Sequence, residues 1–510
     1  MNNYVLTIPI LIPVICGLFL FAMRRRLVTK RRLAETVAMA GPAVTFVSAI
    51  LARFDGESLL LWRLTDDIGL YFRMDDLGAT FMTLFAGIWL LVGIYALSYV
   101  RGDRSAVSFL GWYVLAEGPL MALACAGNLM TFYAFFELMT IFTFPLVMHD
   151  GTPEAINAGL KYLFYSVAGA FMALFGILLL ADYGILGEFA YGGILLADVS
   201  SHPGVLYGAS LLIIIGFGTK AGMFPMHSWL PAAHPEAPAP ASAVLSGVIT
   251  KSGVLGLIRA VYYLIGPDLL RGTFVQKTWL ALSLVTVFMG SMMAYREKLL
   301  KKRLAYSTVS QVSYVLFGLA VMDAISYQGA MMHVIFHAVI KTGLFLAAGA
   351  YIHETGKVRV DEYGSVGTRM PVTTWCWTLL SISMVGIPPL SGFVSKWYLA
   401  TGAMQSGPGV YAWLGPAVLL ISALLTAGYL LPFAFRGFFP EKEESGEMAG
   451  AGGTDEGSRI VTDETGAGSR IKAGAGPADA DPDPKMLVPM LILTAVTVML
   501  GIWPMITEVL

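Results

Sequence analysis

Five charged side chains stand where the surrounding sequence is apolar: Glu137 in FFELMT, Lys220 in GFGTKAG, Lys251 in VITKSGV, Lys341 in HAVIKTG and Lys396 in GFVSKWY. Amines and carboxylates are proton carriers whose affinity follows their surroundings. Burial lowers the proton affinity of a lysine, and a nearby carboxylate restores it. A lysine held against Glu137 keeps its charge, and one released from it gives up its proton. Lys220 is the expected partner; a static ion pair that only locks two helices is the alternative. In MMHVIFHAVIKTG, His333, His337 and Lys341 recur every four residues. That spacing puts them on one helix face over about 12 Å. Imidazole titrates near neutral pH, which suits a proton relay beside a buried lysine. An HxxxH pair can also hold zinc, but the Glu of HExxH is absent and no third ligand is evident. Helix–helix hydrogen bonding is the plainer alternative.

The elements that must carry these groups follow from composition. Of 510 residues, 56% are hydrophobic and 13% charged, about half the charge of an ordinary soluble domain. Apolar runs recur from end to end, so the chain reads as an all-α polytopic membrane protein. Fourteen spans are predicted: 4–23, 34–53, 78–100, 107–125, 128–148, 156–182, 206–229, 240–264, 276–295, 303–322, 328–352, 372–400, 412–436 and 485–509. The basic cluster Arg24–Arg32 follows the first run, the reverse of a signal peptide. It belongs in the cytoplasm, and alternate loops then carry Arg101 and Arg104, Arg296–Arg303, and Lys357, Arg359 and Arg369. Both termini are therefore expected outside, in the inner membrane of a cell. Residues 437–484, rich in Gly, Ala, Asp and Glu, read as an acidic cytoplasmic loop: a tolerated insertion or a docking segment.

Composition also excludes. A net charge of −1 rules out a strongly basic nucleic-acid binder. Cys16, Cys125 and Cys376 lie far apart and offer no CxxC pair, iron–sulfur ligand set or disulfide framework, so neither cofactor nor metal is expected.

Depth separates four of the five charges from ordinary snorkelling. Each costs about 2.5–3.5 kcal/mol at a helix centre, or about 12–18 kcal/mol for five unpaired charges, as much as an entire domain's stability of about 5–15 kcal/mol. Glu137, Lys220, Lys251 and Lys341 lie near the middle of their spans, implying a lateral polar line through the bilayer. Lys161 and Arg259, nearer span ends, read as snorkelling or structural. The seventh span, GFGTKAGMFPMHSWLP, and the twelfth, GIPPLSGFVSK, are each interrupted by Gly and Pro beside a lysine. Matched interruptions point to a transporter's ion site. Five spans apart, the two run in opposite directions, which implies inverted five-helix repeats at 107–264 and 276–436. Residues 1–106 precede them, and 437–484 and 485–510 follow. His227 and His234 line a cytoplasmic mouth or anchor their loop. Asp75 and Asp76 cap the third span. Ser307, Thr308, Ser310, Gln311 and Ser313 hold waters or bond to neighbouring helices.

FFELMT, GFGTKAGMFPMHSWLPAAHPEAPAPASAVLSGVITKSGVLGLIR, KRLAYSTVSQVSY, HVIFHAVIKTGLFLAAG and GIPPLSGFVSK, collinear from about 75 to 400, resemble the antiporter-like subunits of the complex I superfamily. That family takes in large subunits of Mrp cation/proton antiporters, proton-pumping subunits of respiratory complex I and relatives in membrane-bound hydrogenases. FFELMT and GIPPLSGF look closest to the Mrp D-like branch. The resemblance implies fourteen helices with two inverted repeats, and roles residue by residue. Glu137 and Lys220 match the family's ion pair, Lys251 its central lysine, His333, His337 and Lys341 its connecting residues, and Lys396 the terminal residue, a glutamate in some relatives. Some relatives carry a lateral helix after the last span; this sequence stops at Leu510.

The expectation is a proton-translocating subunit of a larger complex, not catalytic alone, working beside other antiporter-like membrane subunits and peripheral hydrogenase or dehydrogenase subunits. A proton would reach Lys251 from the cytoplasm, pass through waters, His333, His337 and Lys341, and leave by Lys396. The alternative is a subunit of a free-standing Mrp-type Na⁺/H⁺ antiporter without a redox partner. A redox enzyme in its own right is disfavoured by the missing Cys clusters and nucleotide loop. A solute permease is disfavoured because the charges form a line rather than a pocket.

Overall fold

The computed structural model describes residues 4–54, 58–63, 65, 69–439 and 480–503. Most of the acidic loop (440–479) and the end of the last predicted span (504–510) lie outside them. In chain order the helices are α1 (Ile8–Ala22), α2 (Arg31–Ala52), α3 (Asp76–Tyr99), α4 (Ala106–Ala124), α5 (Leu129–Val147), α6 (Pro153–Leu179), α7 (Pro203–Ala221) and α8 (Trp229–Glu236). They continue as α9 (Ala239–Ile265), α10 (Phe274–Arg296), α11 (Leu300–Val321), α12 (Ala324–Thr355), α13 (Pro371–Val385), α14 (Ser391–Ser406), α15 (Tyr411–Phe438) and α16 (Pro484–Ile502). A β-hairpin, β1 (Ser58–Arg63) with β2 (Gly69–Arg73), joins α2 to α3. Among the described residues thirteen helices are long and apolar enough to cross a membrane. The twelfth predicted span is the remaining crossing, divided into α13 and α14.

Side chains start several of these helices. Asp75, Asn128, Thr152 and Asp323 each accept a hydrogen bond from a first-turn N–H, of α3, α5, α6 and α12. Burial then sorts the helices. The hydrophobic windows of α9, α11 and α12 are almost wholly buried, whereas those of α1, α2, α6 and α15 are mostly uncovered. The inner group is the polar one, holding Lys251, His333, His337, Lys341 and Ser307–Ser313. Outer helices present Leu, Ile, Phe and Val outward, as a lipid-facing surface requires. Where α6 crosses α7, Gly169 and Gly216 face each other. A Cβ on Gly216 would lie 2.6 Å from the Gly169 carbonyl oxygen, so only glycine permits that approach.

Loops group by alternate connections. On one face Arg101 meets Asp483, Asp103 meets His149, Lys301 donates to the Ala237 carbonyl and Asp481 accepts from Val372 and Thr373. On the other, Arg73 meets Glu188, Arg271 donates to Met322 and Ser406 donates to Asp323. The odd-numbered connections of the predicted topology share the first face and the even-numbered ones the second. The span count and their alternation therefore agree with the packing.

Both predicted interruptions are real breaks. α7 stops at Ala221 and α13 at Val385. Each is followed by a glycine in the left-handed region, Gly222 (φ 81°) and Gly386 (φ 95°), whose N–H closes back onto the last turn. Only glycine adopts this conformation readily. Pro225 and Pro389, each three residues beyond its glycine, follow cis peptide bonds.

Candidate functional site: a buried line of amines and imidazoles

The two breaks leave two helix C-termini within the bundle, that of α7 buried and that of α13 half-buried, each with a lysine. Unsatisfied carbonyls there carry about half a negative charge, which favours a cation. Lys220 lies in the last turn of α7. Lys396 arrives from the far side of its break: from α14 its Nζ donates to the terminal carbonyls of α13, Met384 (2.6 Å) and Val385 (3.0 Å). The lysines thus reach equivalent ends by different routes.

Lys220 is 1% exposed, and its Nζ donates to Thr140 Oγ1 (2.8 Å), Tyr162 OH (2.9 Å) and Ser166 Oγ (3.0 Å). The expected direct contact with Glu137 is not made; among the described residues no ion pair within 4 Å joins them. The reason is local. Thr140 follows Glu137 by three residues on α5, and with two hydroxyls from α6 it supplies one acceptor for each of the three ammonium protons. Glu137 is half-buried, and its Oε1 has no hydrogen-bond partner among the described residues. Lys220 still acts on it through space.

Lys251, also 1% exposed, projects from the middle of α9. Its Nζ lies 2.6 Å from the Ser246 carbonyl oxygen and 2.7 Å from Nδ1 of His337 on α12. A π-helical turn at Leu245–Ile249 precedes it. The amine and imidazole touch directly, which sequence spacing alone does not show. From His337 the line continues to His333, whose ring stacks at 6.0 Å. His333 Nδ1 lies 2.8 Å from the hydroxyl of Ser395, the residue before Lys396. The Tyr314 ring stacks on His333 at 5.5 Å and carries the Lys396 ammonium over its face at 5.1 Å. Lys251, His337, His333 and Lys396 are therefore brought together.

Lys341 is not between them. One turn beyond His337, it lies further from Lys396, fully buried, and its Nζ has no hydrogen-bond partner among the described residues. Its neighbour is His234 of α8, whose ring stacks at 4.6 Å on Phe345, one turn past Lys341. His234 is fully buried and both ring nitrogens lack partners among the described residues. It is an inner residue, while His227 is half-exposed and packs on Phe224. Among the described residues no three His, Cys, Asp or Glu side chains converge as metal ligands.

Sequence reading missed one ionisable group entirely. Glu117, in the apolar run of α4, is fully buried with both carboxylate oxygens unpartnered among the described residues. The signal was present, a carboxylate in mid-span, and equals that of Glu137. The hydroxyls around Lys220 and Ser395 carried no such signal, since packing alone selects them from many. Arg259 resolves as structural. Its guanidinium grips Asp75 at both oxygens (2.5 and 2.7 Å) and stacks on Phe189 and Tyr263. Lys161 is exposed.

Two discontinuous helices that each end at a lysine, with a buried Lys251–His337–His333 line leading to the second lysine, define an ion-translocating membrane subunit of the antiporter-like kind. Residues 126–425 match the family described as NADH:quinone oxidoreductase/Mrp antiporter, TM, and the chain belongs to that family. It is 35% identical over 368 residues to NADH-quinone oxidoreductase subunit N of Desulforudis audaxviator, covering 71% of each chain. It is 29% identical over 447 residues to a D-type Na⁺/H⁺ antiporter subunit of Bacillus subtilis, covering 87% of this chain and 89% of that one. A chain of the Mrp complex from Dietzia sp. DQ12-45-1b superposes with a TM-score of 0.79 at 22% identity, over 98% of this chain and 94% of the other. That likeness concerns the fold. The protein is thus an antiporter-like, multi-pass membrane subunit of a family that works in multisubunit complexes.

Proposed function

We propose that this chain moves protons across the inner membrane along the Lys251–His337–His333–Lys396 line. The work would be driven by redox chemistry or cation exchange in partner subunits. The observation that carries the reading is the 2.7 Å contact between Lys251 and His337. A buried amine and a buried imidazole at that distance share one proton site, so a proton can pass between them without leaving the protein. Lys341 and His234 lie on the side of His337 toward the face that bears the basic loops. We assign them to uptake, ahead of Lys251, in place of the order read from sequence. Release is by Lys396. With the basic loops cytoplasmic, uptake is from the cytoplasm and both termini are outside.

Glu137 serves as the control element. Half-buried beside the hydroxyl-held Lys220, it can draw that ammonium toward itself and change the charge felt at Lys251. Residues 107–264 and 276–436 act as two inverted repeats, a reading supported by the matched glycine breaks. The partners are other membrane subunits, including further antiporter-like ones, with peripheral hydrogenase or dehydrogenase subunits in a redox-driven parent. A free-standing Na⁺/H⁺ antiporter is the second reading, favoured by the 87% of this chain that aligns with the Bacillus subtilis antiporter protein. Purifying the intact complex decides the setting: iron–sulfur or flavin-bearing partners support the redox form, and antiporter subunits alone the other. Glu137→Gln and Lys396→Ala, introduced separately into that complex, should each abolish pumping while assembly persists. Normal pumping by both variants refutes the assignment.

A further inference from the structure

Away from the buried line, a cavity of about 290 Å³ opens at the basic-loop face, between the start of α2, the end of α3 and the start of α16. Its cations come from three distant parts of the sequence: Arg31 and Arg32, Arg101, and Lys485. Two carboxylates oppose them. Glu35 binds Arg31 (2.8 Å) and Lys485 (3.4 Å), and Asp483 lies 3.8 Å from Arg101. Among the described residues, four cations against two anions leave two positive charges in excess. Arg32 is exposed and has no ion pair among the described residues.

An apolar track leads into this cavity from the membrane side. Leu97 and Ser98, which line it, continue the helix face of α3 that carries Leu90, Leu91 and Ile94. Those three are half-exposed although α2 and α16 both pack against α3. The site therefore has an anion-seeking head at the helix ends, where bilayer headgroups lie, and an apolar channel beneath it.

We propose that this cavity is a binding site for an anionic phospholipid. Arg32, Arg101 and Lys485 hold the headgroup phosphate, and an acyl chain lies along Leu90, Leu91 and Ile94. A free phosphate would satisfy the head but leave the track unused, and a zwitterionic lipid would fill the track without neutralising the excess charge.

Native mass spectrometry of the full chain in detergent, with phosphatidylglycerol or phosphatidylcholine added, tests this. Phosphatidylglycerol adducts should exceed phosphatidylcholine adducts severalfold. Arg32→Gln/Arg101→Gln should cut them by about tenfold or more, while Lys357→Gln, a charge loss elsewhere on the same face, should not. Glu35→Gln, which frees Arg31 and Lys485, should strengthen them, and serves if the double variant fails to fold. Equal retention of both lipids overturns the proposal. So do phosphatidylglycerol adducts unchanged in the double variant and in Glu35→Gln, or displacement by millimolar inorganic phosphate alone.

Discussion

Lys251 Nζ and His337 Nδ1 lie 2.7 Å apart between α9 and α12, both about 1% exposed. The contact depends on how closely the two helices cross. Gly247, one turn before Lys251, meets Thr342 there, and a Cβ on it would fall 2.0 Å from Thr342 Oγ1.

Gly247→Ala should therefore push α9 off α12 and separate the pair. Overpacking of this kind costs about 1–3 kcal/mol, and proton transfer through the contact should fall at least fivefold. Thr342→Ala removes the clashing oxygen, so the double variant should recover much of both losses. A thermal melt and a proton-flux assay on the four members of the cycle measure this coupling. Strictly additive effects would show that the crossing does not govern the contact.

Asp75 and Arg259 form the main staple at the opposite face. Burial works to raise the proton affinity of Asp75, but the Arg259 guanidinium, the Gly78 N–H and the Arg73 charge outweigh it, holding the carboxyl below its ordinary range. A depressed folded-state value gives stability that is complete above the unfolded value of about 3.9 and is lost as pH falls through the folded one. Asp75→Asn leaves Arg259 buried without its counter-charge and should lower stability near neutral pH by about 3–5 kcal/mol. It should also flatten the acid side of the melting-temperature profile. An unchanged acid limb would assign that limb to other carboxylates.

Glu117 makes a contrasting prediction. Its carboxylate has no hydrogen-bond partner among the described residues, and the groups that feel its charge are Cys16 and Tyr113, off the lysine–histidine line. Removing an unsatisfied buried polar group relieves about 1–3 kcal/mol. Glu117→Met should raise the melting temperature and leave proton flux unchanged. A large loss of flux would put Glu117 on the route.

Much of the fold was legible because the bilayer simplifies the problem: apolar runs fix the helices and basic loops fix their alternation. The breaks after Lys220 and before Lys396 were legible through Gly222, Gly386 and their prolines. Side-chain partners were not. Whether Lys220 faces Glu137 or Thr140 turns on one helical turn of α5, and both residues lie on the same face. The order of Lys341 and His333 along the line was equally hidden. Periodicity places both on one face of α12 but does not say which end meets Lys396. Glu117 is as legible as Glu137, since its position in an apolar run is equally anomalous.

Lys251 is the amine through which every proton on this route must pass. Lys251→Ala in the intact parent complex, reconstituted into proteoliposomes with a pH-sensitive dye inside, removes the amine at the His337 contact and leaves the neighbouring helices in place. Proton translocation should drop below about a tenth of the wild-type rate, a barrier increase of about 1.4 kcal/mol or more, with subunit composition unchanged. Wild-type translocation by a correctly assembled Lys251→Ala complex would contradict the account.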